Sequence, residues 1–324
     1  MAPLNITSNS MKPESKIFIA GARGLAGSAI IRRLEESGYT QLLCPGHAEL
    51  ELMDPAAVLN YFKKHAPEYV ILAAARVGGI LANSTYPAEF IYENLMIQNN
   101  IIHQSWVHGV RKLIFLGSSC VYPKHCPQPI REDHLMTGPL EPTNSAYALA
   151  KIAGIEMCWA YNRQYGTAFI PVMPTNLYGP NDNFDLKTSH VLSALIRKFH
   201  EAKKSRTDFV TIWGSGSPRR EFLYADDLAD ACLFLLNKEI DVKDPLTPPL
   251  FNIGTGKEIT IKDLAEMIRE ICGCECEIRF DASKPDGTPR KLLDVSRMKA
   301  LSWEAETNLR SGIEKTYQWY INNG

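Results

Sequence analysis

The 324-residue sequence has almost no net charge: 35 Lys and Arg stand against 36 Asp and Glu, a formal balance of -1. Without a basic excess there is no field to gather nucleic acid or an anionic membrane surface, so neither is expected as a partner. Long apolar runs are missing too. Nothing approaches the roughly 18 consecutive apolar residues of a membrane span, the longest being stretches such as 69–75. Residues 1–15 lack the apolar core of a secretory leader and are expected to form a disordered arm. Internal repeats and low-complexity segments are absent, which excludes solenoid and fibrous architectures. What remains is an ordinary globular composition, 45% hydrophobic and 22% charged, long enough for about two domains. The eight cysteines are mostly scattered, in a chain too long to need stapling. Reduced thiols in a cytoplasmic protein are expected.

From residue 16 to about 179, short apolar runs alternate with amphipathic stretches. Strands are expected at 16–20, 41–44, 69–73, 112–117 and 168–173, with helices at 25–37, 55–65, 88–108 and 145–165. Asp54 before Pro55 offers an N-cap followed by a first-turn proline. Strands apolar on both faces, alternating with helices, predict an α/β fold with a doubly wound parallel sheet. Past Gly179 the rhythm breaks and prolines cluster (Pro245, Pro248, Pro249), with helices expected at 190–202, 226–236, 261–272 and 310–322. We expect a Rossmann domain over 16–179, rejoined by about 220–256, and a smaller C-terminal substrate lobe from 180–219 and 257–324.

Gly21-Ala22-Arg23-Gly24-Leu25-Ala26-Gly27 falls between the first strand and the first helix. The first glycine permits a tight turn, the second lets backbone approach a pyrophosphate, and the third lets the helix pack on the sheet. The helix N-terminus then offers N–H groups and a positive dipole end to phosphates. NAD binders place a carboxylate after the second strand, for the ribose 2′-hydroxyl. Here that position reads Cys44-Pro45-Gly46-His47. With no carboxylate there, and with Arg23 in the loop and His47 nearby to face a 2′-phosphate, NADP (as NADPH) is the expected cofactor.

Tyr147 and Lys151 stand at i and i+4 on one expected helix and share a face. A phenol is a poor acid–base group at neutral pH until a nearby cation stabilises its phenolate, and Lys151 is placed to do so. Ser118 follows the strand at 112–117, at the carboxyl edge where such sheets bind ligands. The set can donate hydrogen bonds to a carbonyl that receives hydride.

Gly117-Ser118-Ser119-Cys120, the Tyr147–Lys151 pair and the glycine loop together resemble the extended short-chain dehydrogenase/reductase family. The similarity extends through Ala74-Ala75-Arg76-Val77-Gly78-Gly79-Ile80, Pro174-Thr175-Asn176-Leu177-Tyr178-Gly179-Pro180, Trp213-Gly214-Ser215-Gly216 and 283–291. Within that family the sequence resembles the NADPH-dependent epimerase/reductases of GDP-linked keto-sugars. The resemblance implies Ser118, Tyr147 and Lys151 for C4 reduction, with Cys120 and His190 as the acid–base pair for 3,5-epimerisation. It also implies cofactor contacts from Gly21, Arg23, Gly24, Leu25, Gly27, His47, Leu116, Ser118, Ser119, Lys151, Pro174, Thr175, Asn176, Leu177 and His190. The GDP-sugar would meet Lys198, Trp213, Arg220 and Asp286. Two positions depart from the pattern: Ala22 stands where relatives often have His, and Pro45 and His47 stand where some carry arginines.

The implied chemistry suits these residue types. A C4 ketone acidifies the hydrogens on C3 and C5, so a base can remove a proton and an acid return it on the other face. The enolate charge would collect on O4, facing Tyr147 and Ser118. A thiol becomes a usable base in electropositive surroundings, and a histidine titrates near neutrality. A nucleotide-sugar 4-epimerase with resident NAD would need no Cys120–His190 pair. A non-catalytic dinucleotide sensor would need no acid–base triad. No metal site is expected. The one-residue spacings of Cys272, Cys274 and Cys276 put them at a helix end and on a strand face, as core cysteines, with no fourth ligand. Helices 88–108 and 145–165 carry apolar residues around more than one face (Leu95, Ile97, Ile101, Ile102, Trp106; Ile152, Ile155, Met157, Trp159). Such helices need a second partner, and the resemblance implies a homodimer through them.

Overall fold

The computed structural model describes residues 11–323 apart from 187, 245 and 285. Its first half is built from strands β1 (Ile17–Ala20), β2 (Leu42–Leu43), β3 (Tyr69–Leu72), β4 (Lys112–Leu116) and β5 (Phe169–Pro174). Between them run helices α1 (Leu25–Glu36), α2 (Pro55–His65), α3 (Ile80–Thr85), α4 (Pro87–Val107) and α5 (Ser145–Tyr165). Every residue of β1, β3, β4 and β5 is buried, as strands covered on both faces must be. The second half holds β6 (Asn176–Tyr178), α6 (Val191–Ser205), β7 (Phe209–Trp213), β8 (Arg219–Tyr224), α7 (Ala225–Asn237), β9 (Phe251–Ile253) and β10 (Glu258–Thr260). It ends with α8 (Ile261–Cys272), β11 (Glu277–Asp281), β12 (Arg290–Lys291), α9 (Ser296–Ala300) and α10 (Leu309–Asn323).

The main sheet is parallel throughout and runs β2-β1-β3-β4-β5-β9. The chain reverses its direction of travel across the sheet between β1 and β3, and a crevice opens there at the carboxyl ends. One face packs Ile30 and Leu34 of α1 against Leu228 and Leu235 of α7. The other packs Phe62 of α2, Ile101 of α4 and Ile155 of α5. A separate cluster in the second lobe joins Leu195 and Phe199 of α6, Leu264 and Ile268 of α8, and Ile313 of α10. That lobe has its own small sheets: β10-β8-β12 with β6 also on β8, and β7 paired with β11.

Three expectations need correction. Residues 1–10 of the expected disordered arm lie outside the described residues, but 11–15 belong to the body. Met11 is buried in the α1–α7 layer, and its N–H donates to Asn237 Oδ1 at 3.1 Å. The lobe boundaries also differ. Strand β8 pairs with β10 and β12 of the second lobe while its Leu223 packs in the first domain's core, where Met298 of α9 and Trp303 also lie. Both shifts come from long-range pairing and packing that local pattern does not encode. Finally, Cys274 and Cys276 sit in the second lobe's core as expected, but side by side rather than as separate thiols, with their Cα atoms 5.4 Å apart. An i, i+2 spacing in extended chain puts both side chains on one face, within disulfide reach.

Candidate active site

At the carboxyl ends of the parallel strands lies a cavity of about 680 Å³. All the expected cofactor residues line it: Gly21, Arg23, Gly24, Leu25, Gly27, His47, Leu116, Ser118, Ser119, Lys151, Pro174, Thr175, Asn176, Leu177 and His190. The glycine loop shows why glycine is needed there. Gly21 has φ +88°, and a Cβ on it would stand 2.6 Å from Ala74 N; a Cβ on Gly27 would strike the Gly21 carbonyl. The N-cap of α1 is Gly24, in extended conformation and with no side-chain cap. The first N–H groups of α1 therefore lack a side-chain acceptor, which suits a pyrophosphate. A nicotinamide dinucleotide fits this donor set. Arg23 bends over the loop after β2, where a Cβ on Gly46 would stand 2.5 Å from Arg23 Nη2. His47 pairs with Glu51 at 3.1 Å, so a carboxylate does reach the cleft, four residues past the position read in the sequence.

The cleft also brings together Ser118, Cys120, Tyr147, Lys151 and His190. Ser118 leaves β4 in extended conformation, and its Oγ accepts the Cys120 N–H at 3.2 Å. Lys151 is buried; its Nζ donates to the Leu116 carbonyl at 2.8 Å and lies 6.0 Å from the centre of the Tyr147 ring. Burial pushes its ammonium down to about 7. Burial also pushes the Tyr147 hydroxyl well above its usual range; Cys120 adds to this, and a hydrogen bond with Ser118 offsets part of it. Tyr147 is thus a neutral proton donor at pH 7. Cys120 behaves oppositely. Burial opposes its thiolate, but the Lys291 ammonium and hydrogen bonds from Ser118, Lys291 and Asn144 prevail, and the thiol lies below its ordinary value. His190 is the N-cap residue of α6 and enters from the second lobe.

The expected GDP-sugar contacts gather around β7 and β8. Lys198 Nζ donates to the Thr211 carbonyl at 2.9 Å, and Trp213 ends β7 with 67% of its surface exposed. Asp286 accepts the Ser215 N–H at 2.6 Å. Burial lowers the Arg220 guanidinium, while Asp286 raises it. None of these four lines the main cleft. They connect to it through β12, where Lys291 is the register partner of Arg220 and reaches Cys120 Sγ at 3.5 Å. Sequence reasoning quoted Lys291 within a motif but gave it no role, and 171 positions separate it from Cys120. Asn144 was likewise missed. Thr175 and Asn176 donate to the Glu221 carbonyl at 3.3 and 2.8 Å, tying the segment after β5 to β8.

A glycine loop opening a helix, a strand-end serine and a Tyr-x-x-x-Lys pair over one cleft define a nicotinamide-dependent dehydrogenase/reductase fold. The chain belongs to the NAD dependent epimerase/dehydratase family, whose pattern matches residues 17–254. It is 55% identical to GDP-L-fucose synthase 1 of Arabidopsis thaliana, over 97% of this chain and 96% of that one. It is 51% identical to GDP-L-fucose synthase of Escherichia coli (strain K12), over 96% and 98% of the two chains. Among solved structures, a GDP-L-fucose synthetase from Naegleria fowleri bound to NADP superposes with TM-score 0.89 at 30% identity, covering 97% and 95%.

Proposed function

We propose that the protein converts GDP-4-keto-6-deoxy-D-mannose to GDP-L-fucose, by epimerisation at C3 and C5 and reduction at C4, in one cleft. The observation that carries this reading is the convergence of two chemical sets, Ser118–Tyr147–Lys151 and Cys120–His190, on the same cavity. The nearly full-length relatives named above act as GDP-L-fucose synthases by their names. The proposed cofactor is NADP: Arg23 would meet its 2′-phosphate, and Glu51 is held by His47.

Cys120 as thiolate draws a proton from the carbon beside the ketone, and the electron pair moves onto O4. Tyr147 and Ser118 hydrogen-bond that oxygen. His190 returns a proton on the opposite face. The reduced nicotinamide, when bound, supplies hydride to C4. Tyr147 then gives its proton to O4, with Lys151 beside it to stabilise the phenolate left behind. Asp286, Arg220, Trp213 and Lys198 hold the nucleotide, Arg220 by a bidentate grip on phosphate oxygens.

The protein acts as a homodimer. Helices α4 and α5 lie side by side, and Tyr92, Val107 and Leu149 are exposed on them at 62%, 49% and 49%. A thiolate base needs a reducing compartment, and six further cysteines outside the Cys274–Cys276 pair, Cys120 among them, are free; the cytoplasm is the proposed location. Incubation with NADPH and GDP-4-keto-6-deoxy-D-mannose tests the function. Loss of reduced-nicotinamide absorbance with GDP-L-fucose as product is expected; no turnover of this sugar contradicts the reading.

A further inference from the structure

We infer that Lys291 is the positioning residue of the epimerisation base: its ammonium holds Cys120 as a thiolate aimed at the sugar. The reduction half of the chemistry does not require it. This rests on the proposed function of the cleft. Lys291 ends β12, a strand of the second lobe, and its Nζ lies 3.5 Å from Cys120 Sγ. Among the described residues it has no carboxylate partner, so its charge is available to the sulfur. The two other cations that line the side cavity next to Cys120 are engaged with carboxylates, one of them shared with Arg219. Lys124 pairs with Glu141 at 2.9 Å and Arg290 with Glu258 at 2.7 Å. Lys124, Glu141, Arg290 and Lys291 line a small side cavity that adjoins the cleft at Ser119 and Cys120. The remaining neighbours of the thiol are Ser118 on its own turn, Asn144 from the turn before α5, and the neutral phenol of Tyr147 on α5. Lys291 is therefore the cation in contact with this sulfur, and a thiolate rather than a thiol takes a proton from carbon.

The proton balance is closed. The C–H bond beside the ketone breaks, an S–H bond forms on Cys120, and the electron pair of the broken bond becomes the enolate charge on O4. His190 delivers its proton to the opposite face of the same carbon. Cys120 then loses its proton to water, and His190 regains one. Lys291 keeps its own protons throughout. Its pairing with Arg220 on β8 also means that the strand carrying it sits against the one proposed to grip the diphosphate, so base and substrate share one frame.

The test compares Lys291→Met and Lys291→Arg with the wild type in two assays. In the first, iodoacetamide alkylation of Cys120 is followed by peptide mass spectrometry from pH 6 to 10 without substrate. Lys291→Met should alkylate at least about tenfold more slowly at pH 7 and regain its rate only at higher pH, whereas Lys291→Arg should stay near wild type. In the second, NADPH and the keto-sugar are supplied in deuterium oxide. Lys291→Met should lose deuterium incorporation at C3 and C5 at least about tenfold, yet still consume NADPH. A folded Lys291→Met whose alkylation profile matches wild type overturns the proposal, as does failure of Lys291→Arg to restore the profile. If wild type does not turn over the sugar, the functional reading fails, and the alkylation series still decides the Lys291–Cys120 coupling.

Discussion

Arg23 lays its guanidinium against Gly46, in the space a side chain there would fill, with Nη2 2.5 Å from where that Cβ would stand. The loop after β2 thus supplies no carboxylate at 44–47 and a glycine floor for an arginine that comes from the loop after β1. In this family of folds that place receives the adenosine ribose.

Arg23→Ala should therefore weaken NADPH about tenfold or more, roughly 1.4 kcal/mol, and leave NADH nearly unchanged. Gly46→Val should give the same selective loss with Arg23 intact, because it displaces the guanidinium. Titration of both cofactors by fluorescence checks this; equal losses for the two would remove the 2′-phosphate role.

Tyr147→Phe removes the proton donor and little else. NADPH turnover should fall at least about 100-fold, while NADPH affinity and the melting temperature stay near wild type. Steady-state kinetics beside a thermal scan separate the two. A variant that still reduces the keto-sugar at close to the wild-type rate would refute the Tyr147–Lys151 assignment.

Lys151 is a functional group held at a cost to stability. Burial brings its ammonium from the ordinary 10.5 down to about 7. Between those values the folded protein holds a neutral amine, and the unfolded chain an ammonium. The unfolded chain then binds more protons, so this group's contribution to stability rises with pH across the window and is least favourable below about 7. Lys151→Met should raise the melting temperature more at pH 6 than at pH 9, offset slightly by the Leu116 carbonyl it leaves unpaired, while reduction is lost. Thermal scans at both pH values test the sign.

Much of this architecture was legible because its signals are local. Helix α8 ends where the sequence places it: Thr260 accepts the Asp263 N–H at 3.0 Å at its start, and Gly273 is left-handed at its end. Asp54 caps α2 through Ala56 and Ala57 as read. The glycine loop, Ser118, Tyr147 and Lys151 announce themselves by order and spacing. The illegible parts are long-range. Strands β6, β10 and β12 have two or three residues each and exist through pairing with β8. Met11 is recruited by α7, and Lys291 meets Cys120 only after the second lobe folds back. Arg76 bonds Glu89 and Glu93 at 2.6 and 2.5 Å beside the cleft, a pairing visible only when α4 is in place.

The apolar face of α4 and α5 gives a prediction on assembly. Leu149 is 49% exposed in the single chain. Leu149→Arg should convert a sedimenting dimer to monomer, since a charge buried without a partner at such an interface costs several kcal/mol. Sedimentation velocity of both proteins checks it; a monomeric wild type would remove the dimer.

The central claim is that epimerisation and reduction use different groups of one cleft, and the product of Cys120→Ser tests it most directly. Serine keeps the size and loses the basicity. NMR of the product formed with NADPH in deuterium oxide should show slow cofactor consumption, a C4-reduced sugar that is not epimerised, and little deuterium at C3 and C5. Normal GDP-L-fucose from this variant, deuterated at both carbons, would contradict Cys120 as the base.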